Sequence, residues 1–217
     1  MGTFGLRLIR TLVILALVCA SAWGQHYSFK FYGEEEGLQN LGVQVVLQDR
    51  AGFLWVGTQN GLYRYDGSRF SSFSKHEGLP GTRIESLHQS ADGSLWVGTR
   101  SGLARLVKDH FESVPIRVEK GVTAEGIVGR QGIVTNARGE LFLATERGLV
   151  RGVQSKGSWQ FATVPTPVAQ KDGPVVSVLV DEGGKVWFGC GKNRSGGPQE
   201  SYVEAVFYHG GTGCWRY

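Results

Sequence analysis

Short apolar runs separated by turn residues fill most of this chain, and they alternate with a strand-like period of two. Val43–Leu47, Phe53–Thr58, Leu62–Tyr65 and Phe70–Ser74 read as four consecutive strands. Asp49-Arg50-Ala51-Gly52 turns the chain after the first, and Asp66-Gly67 is a hairpin pair after the third. Ile84–Gln89, Leu95–Thr99, Leu103–Val107 and His110–Val114 repeat the series. Ile133–Thr135, Leu141–Thr145, Leu149–Arg151 and Trp159–Val164 form a more degenerate third series. A fourth starts with Val175–Val180, the turn Asp181–Gly184 and Lys185–Gly189. Further upstream, Tyr27, Phe29 and Phe31 alternate as one more short strand.

The series are in register. Gly52–Gly61 reads GFLWVGTQNG and Gly93–Gly102 reads GSLWVGTRSG, so Trp55 and Trp96 lie 41 residues apart. GELFLATERG at Gly139–Gly148 puts Phe142 in the tryptophan position, 46 residues on, and GKVWFGC from Gly184 puts Trp187 there after another 45. The repeat positions are thus Gly52, Trp55, Gly57, Thr58, Gly61 and Leu62; Gly93, Trp96, Gly98, Thr99, Gly102 and Leu103; Gly139, Phe142, Gly148 and Leu149; and Gly184, Trp187 and Gly189. Four copies with a period in the forties predict an all-β fold, a β-propeller of about four blades of four-stranded antiparallel sheets. The blades fall at about 43–74, 84–114, 127–164 and from 175 to 191 onward. Phe29 precedes Phe70 by the same 41 residues, so 27–32 is expected as the outer strand of a closing blade. Residues 192–217 fit no repeat register, apart from a strand-like Tyr202–Tyr208.

Each repeat residue has a packing reason. A tryptophan in the second strand fills the space between neighbouring blades with a large apolar surface. Glycine after the turn supplies positive φ, and Gly57 and Gly98 let the next blade come close. The Glu34–Glu36 run reads as a solvated loop, and Pro115–Gly129 as a long connection able to carry binding residues.

Composition adds the compartment. Arg7 and Arg10 precede the apolar run Thr11–Ala20, and small residues follow at Ala20, Ala22 and Gly24, the pattern of a secretory signal peptide over 1–24 cleaved between Gly24 and Gln25. The apolar run falls short of the ~20 residues of a membrane span. Losing the leader lowers the net charge from +4 to about +2, and no Lys/Arg run follows, so nucleic acid is not an expected partner. Cys190 and Cys214 remain, free to pair in an oxidising compartment or to stay as two thiols.

Candidate chemistry is sparse. Asp49, Asp92 and Asp181 sit in turns and are expected to bond the local backbone. His26, His76, His88, His110 and His209 lack metal-ligand spacing, and no nucleophile elbow or dinucleotide fingerprint is present, so no metal, cofactor or catalytic residue is assigned. The tryptophans of the motif read as core; Trp159, outside it, is the better surface platform. An enzymatic alternative, a secreted lyase or glycosidase, has only Asp172, Glu125 and His88 as loose candidates. A closed four-bladed binding scaffold is the other alternative.

The repeats at Asp49–Gly67 and Asp92–Leu106, with Phe70, Phe73 and Glu77-Gly78-Leu79-Pro80 between them, resemble the two-component regulator propeller repeat. That resemblance covers about residues 27–191. It implies the periplasmic sensor region of a bacterial histidine kinase, hybrid kinase or diguanylate cyclase, built on seven or fourteen blades. Such a sensor is followed by an immunoglobulin-like domain, a membrane helix and a cytoplasmic signalling module. The chain is then expected to be a non-enzymatic N-terminal piece, four blades of an incomplete seven-bladed ring, with truncation or a frame change near Gly191 accounting for the tail. Its expected partners are an extracellular ligand, glycans being among those of the family, and a downstream transmembrane kinase module. The ligand-binding residues stay unassigned. N-terminal sequencing of the exported chain is expected to start at Gln25; a start at Met1 would remove the signal-peptide assignment.

Overall fold

A computed structural model describes residues 29–118, 126–127, 129–165, 174–190, 204–208 and 214–216, the last two segments as backbone only. The chain divides between Phe31 and Tyr32 into two units, and of the first only 29–31 are described. The signal-peptide residues therefore lie outside the described part.

Four antiparallel sheets follow one another along the second unit. Blade one is β1 (Val43–Gln48), β2 (Leu54–Thr58), β3 (Gly61–Tyr65) and β4 (Phe70–Phe73). Blade two is β5 (Ile84–Gln89), β6 (Leu95–Thr99), β7 (Gly102–Val107) and β8 (His110–Val114). Blade three is β9 (Ile133–Thr135), β10 (Leu141–Thr145), β11 (Gly148–Ser155) and β12 (Ser158–Thr163). Blade four is β13 (Val175–Val180), β14 (Val186–Cys190), β15 (Glu204–Tyr208) and β16 (Cys214–Arg216). Within each blade, consecutive strands pair in order.

Two expectations are corrected here. Residues 29–32 form no strand, and the outer place in blade four is held by β16. The stretch from 192 onward is not foreign to the repeat, because β15 and β16 complete the fourth sheet. What hid them is the connection between β14 and β15: the other blades use a two-residue turn there, whereas here residues 191–203 intervene. The register also separates the two cysteines. Cys190 faces Glu204, while Cys214 faces Tyr208 on the far side of β15. Four residues along a strand and two strand spacings put them about 13 Å and about 10 Å apart in the two directions. A disulfide needs Cα atoms within about 7 Å, so this sheet does not permit one.

The innermost strands carry a second regularity. Register shifts lie between Val43 and Val45, Ile84 and Ser86, and Val175 and Ser177, the same place in three blades. Such a bulge bends the strand and adds twist. In blade three the irregularity has grown. Ile127 bridges Thr145 as Ile84 faces Thr99, but β9 resumes only at Ile133. This excursion supplies three of the five extra residues between Trp96 and Phe142, and the connection before Ile127 supplies the other two. Gln131, within it, bridges to Ser177, and its carbonyl accepts the Val178 amide at 2.9 Å.

The cores lie between blades. Trp55, Leu62 and Phe73 of blade one pack with Ile84, Leu87, Val97 and Phe111 of blade two. Trp96 and Leu103 pack with Ile127, Ile133, Leu143 and Phe161, and Phe142 and Leu149 with Val175, Val178 and Phe188. The close approach is made by side chains of the next blade, not by its backbone. A Cβ on Gly57 would lie 2.6 Å from Ile84 Cγ2 and 2.7 Å from Val45 Cγ1; one on Gly98 would lie 2.9 Å from both Ile127 and Ile133. Both end faces keep exposed apolar residues, although Val56 and Tyr63 at the blade-one end are buried with Leu38 and Phe70. Val46 is 53 % exposed where its counterpart Leu87 is 7 %, and Leu179 of β13 is 59 % exposed. A closed four-bladed ring would bury both positions, so that alternative does not fit these four sheets.

Gly57→Ala is expected to cost about 1–3 kcal/mol by overpacking against Ile84. Urea unfolding checks this; an unchanged midpoint would mean the interface yields at that point.

Candidate functional site

The turns between first and second strands are built around the repeat aromatic. In blade one, Asp49 Oδ1 accepts the Phe53 amide at 2.9 Å, and Oδ2 accepts the Trp55 indole N–H at 2.7 Å. In blade four, Asp181 does the same for Lys185 and Trp187, at 2.9 Å each. The Trp187 indole, then the Lys185 amide, hold the Asp181 carboxyl below the usual aspartate range. Blade two puts Ser90 in this position, whose Oγ accepts the Trp96 indole at 2.8 Å. Blade three has Phe142 with no N–H to satisfy, and there Asn136 Oδ1 takes the Arg138 and Glu140 amides at 3.0 Å each. Asp92 is therefore not the counterpart of Asp49. It sits two residues later and accepts only from Ser94, at 3.0 Å to both the amide and the hydroxyl. The expected backbone bonding of the three aspartates is present, and the indole contact adds the reason for the Asp–Trp pairing. Positive φ follows at Gly52, Gly93, Gly139 and Gly184.

At the opposite end of the second strand a threonine closes the next hairpin. Thr58, Thr99 and Thr145 are buried and donate to the carbonyls of Gly61, Gly102 and Gly148 at 2.9, 3.1 and 2.7 Å. Leu62, Leu103 and Leu149 follow, fully buried. Blade four has Gly189 and then Cys190 in place of the threonine. The repeat motif thus forms a structural lattice at both ends of each blade; Trp55, Trp96 and Phe142 are buried, and Trp187 is half-buried on the outer face.

Of the three loose catalytic candidates, Asp172 and Glu125 lie outside the described residues. His88 is engaged by the neighbouring blade. Its Nε2 accepts the Thr135 amide at 3.1 Å and lies 2.8 Å from Thr135 Oγ1, which ties blade two to blade three. Burial pushes its pKa below the ordinary histidine value, and an acceptor Nε2 requires the proton on Nδ1. The Glu34–Glu36 run is not simply solvated: Glu36 Oε2 accepts the Gly33 amide at 2.9 Å, and Glu77 Oε2 accepts that of Ser74 at 2.6 Å one repeat on. No group of three His, Cys, Asp or Glu placed to hold a metal occurs among the described residues.

The cavity that does stand out lies between blades two and three, on the side of the aspartate turns. It measures about 460 Å³ and is walled by the turns Ser90–Asp92 and Asn136–Glu140, with Trp96 and Trp159 behind them. Trp159 meets Trp96 edge-on at 5.1 Å, and its indole N–H is buried with no acceptor among the described residues. Glu140 binds Arg151 and accepts from Asn136 Nδ2 at 2.6 Å. Burial alone would raise the Glu140 carboxyl, but these hydrogen bonds and the Arg151 charge hold it below the usual range. Sequence reasoning passed over this groove, except for singling out Trp159.

Sheets stacked face to face through such interfaces define a β-propeller. The two component regulator propeller family matches residues 37–60 and 78–101, so these two stretches are repeats of that kind within a β-propeller fold. No curated protein matches the chain. Among solved structures, it is similar to the extracellular domain assigned to a hybrid two component system of B. thetaiotaomicron. That match has 23 % identity and a TM-score of 0.60, over 74 % of this chain and 24 % of that one. It is also similar to the extracellular domain assigned to a one component system of the same organism, at 21 % identity and TM-score 0.63, over 88 % of this chain and 23 % of that one. Virginiamycin B lyase from Staphylococcus aureus shares the fold at 13 % identity and TM-score 0.56, over 90 % and 60 % of the two chains. The chain spans about a quarter of the length of the first two structures. No helix among the described residues is long and apolar enough to cross a membrane.

His88 gives a pH test. Its folded pKa lies below the unfolded value of about 6.5, so its contribution is complete above that pH and is lost as pH falls through the folded pKa. The urea midpoint is expected to drop between neutral and mildly acidic pH, and His88→Gln, which cannot titrate, should remove that part of the slope. His88→Ala at neutral pH should cost about 1–3 kcal/mol by orphaning the Thr135 amide.

Proposed function

We propose that this chain is an exported, non-enzymatic sensing segment of a two-component signalling protein. Ligand or partner contact is made by the turns and loops at the blade ends. The signal passes as rigid-body repositioning of the propeller to a transmembrane kinase module downstream. The observation that carries this reading is the family match over residues 37–60 and 78–101. The likeness in fold to extracellular domains assigned to hybrid and one component systems supports it. Glycans are one ligand class such sensors take, and nucleic acid is not a partner, because the mature chain carries no Lys/Arg run.

The chemistry of the described site also supports binding over turnover. The motif carboxylates are used up on turn amides and indoles, and His88 on Thr135. The mature chain is to be tested against a panel of oligosaccharides and polysaccharides by thermal shift, with parallel assay for new reducing ends or unsaturated products. A raised melting temperature with at least one compound and no product is the expected result. Product formation that disappears in His88→Ala would overturn the non-enzymatic reading.

A further inference from the structure

Neighbouring blades offer an internal comparison at the aspartate turns. Between blades one and two, Arg50 spans the groove: its Nη1 donates to the Ala91 carbonyl at 2.8 Å, and its amide donates to Gln89 Oε1 at 3.0 Å. Arg50 directly follows Asp49, the indole acceptor of its blade. In blade two the indole acceptor is Ser90, so the matching residue is Ala91; in blade three, where Phe142 has no indole, the turn residue in that place is Asn136, followed by Ala137. An alanine side chain cannot reach across. The groove between blades two and three is where the cavity of about 460 Å³ lies, with both Ala91 and Ala137 on its wall.

From this we infer that the second groove binds an arginine side chain presented by a peptide, which takes the place that Arg50 fills one interface earlier. The guanidinium meets three complementary groups. The Ala137 carbonyl corresponds to the Ala91 carbonyl that Arg50 already uses. Asp92 adds a carboxylate where blade one has Ala51, and its described partners come only from Ser94. Trp159, half-buried on the wall, supplies ring surface of the kind this fold already pairs with cations: Arg105 lies 5.9 Å from the Trp96 ring centroid, and Arg64 lies 4.8 Å from that of Phe53. Glu140 is neutralised by Arg151, and Arg138 is the one competing cation on the wall. The buried Trp159 N–H needs an acceptor that a guanidinium does not offer, and a peptide carbonyl next to the arginine side chain does. Free alkylamines and simple sugars satisfy only part of this set. The assignment does not depend on whether the chain signals.

The probe is N-acetylarginine methylamide, titrated calorimetrically into the mature chain, with the citrulline analogue as the uncharged control. One site is expected, with the control at least about tenfold weaker. Ala91→Arg should plug the groove and weaken binding at least about tenfold, and Asp92→Asn, which alters only an exposed turn, should weaken it without changing the fold. Arg50→Ala should leave the stoichiometry at one, because the first groove has Ala51 where the second has Asp92. Failure of the wild-type chain to bind the probe, equal binding of the citrulline analogue, or full affinity in both Ala91→Arg and Asp92→Asn would each overturn the assignment. A glycan that binds while the arginine probe does not would leave the sensor reading in place and remove this one.

Discussion

Blades one and two each stack on the next through one strand that carries a bulky aromatic and a bare backbone within three residues. Trp55 fills the interface, and Gly57 lets Ile84 descend onto the sheet. Sheets that pack face to face sit about 10 Å apart. At that spacing a tryptophan needs a facing hollow, and a β-branched residue needs a gap. The polar groups of the strand are handled at its two ends. The indole N–H goes to a carboxylate or hydroxyl in the preceding turn, and the threonine hydroxyl goes to the glycine carbonyl in the following one. The interior of the interface is thereby left apolar, and burying it carries no unpaired donor at those positions.

That arrangement explains which parts of the molecule could be read from the chain. Strand positions in blades one and two followed from Trp55, Trp96 and their glycines, because each residue is tied to one geometric role. The strands of blade three were legible, but not the excursion between Ile127 and Ile133, which meets β13 through Gln131. The outer strands of blade four were missed because residues 191–203 replace the two-residue hairpin and Cys190 replaces the threonine that announces it. Glu34–Glu36 looked like a solvated run, yet its third member closes a turn, as Glu77 does one repeat on. A carboxylate that bonds one backbone amide has no distinctive composition.

The site was less legible than the fold for a related reason. A repeat alignment displays what is kept, and the groove between blades two and three exists because something was not kept. Only the contact from Arg50 to the Ala91 carbonyl gives the Arg-to-Ala difference a spatial meaning. The aspartates show the converse. Asp92 looks like a copy of Asp49 by its place before a glycine, but hydrogen bonding assigns that copy to Ser90.

The residue facing each neighbour also grades along the array: glycine at positions 57 and 98, alanine at 144 and glycine again at 189. Ala144 brings a methyl group to a junction where Gly57 and Gly98 already leave less than 3.0 Å for one. The copies have therefore ceased to be modular parts. Unequal crossing-over that exchanged one segment for its neighbour would leave a void on one side and a clash on the other.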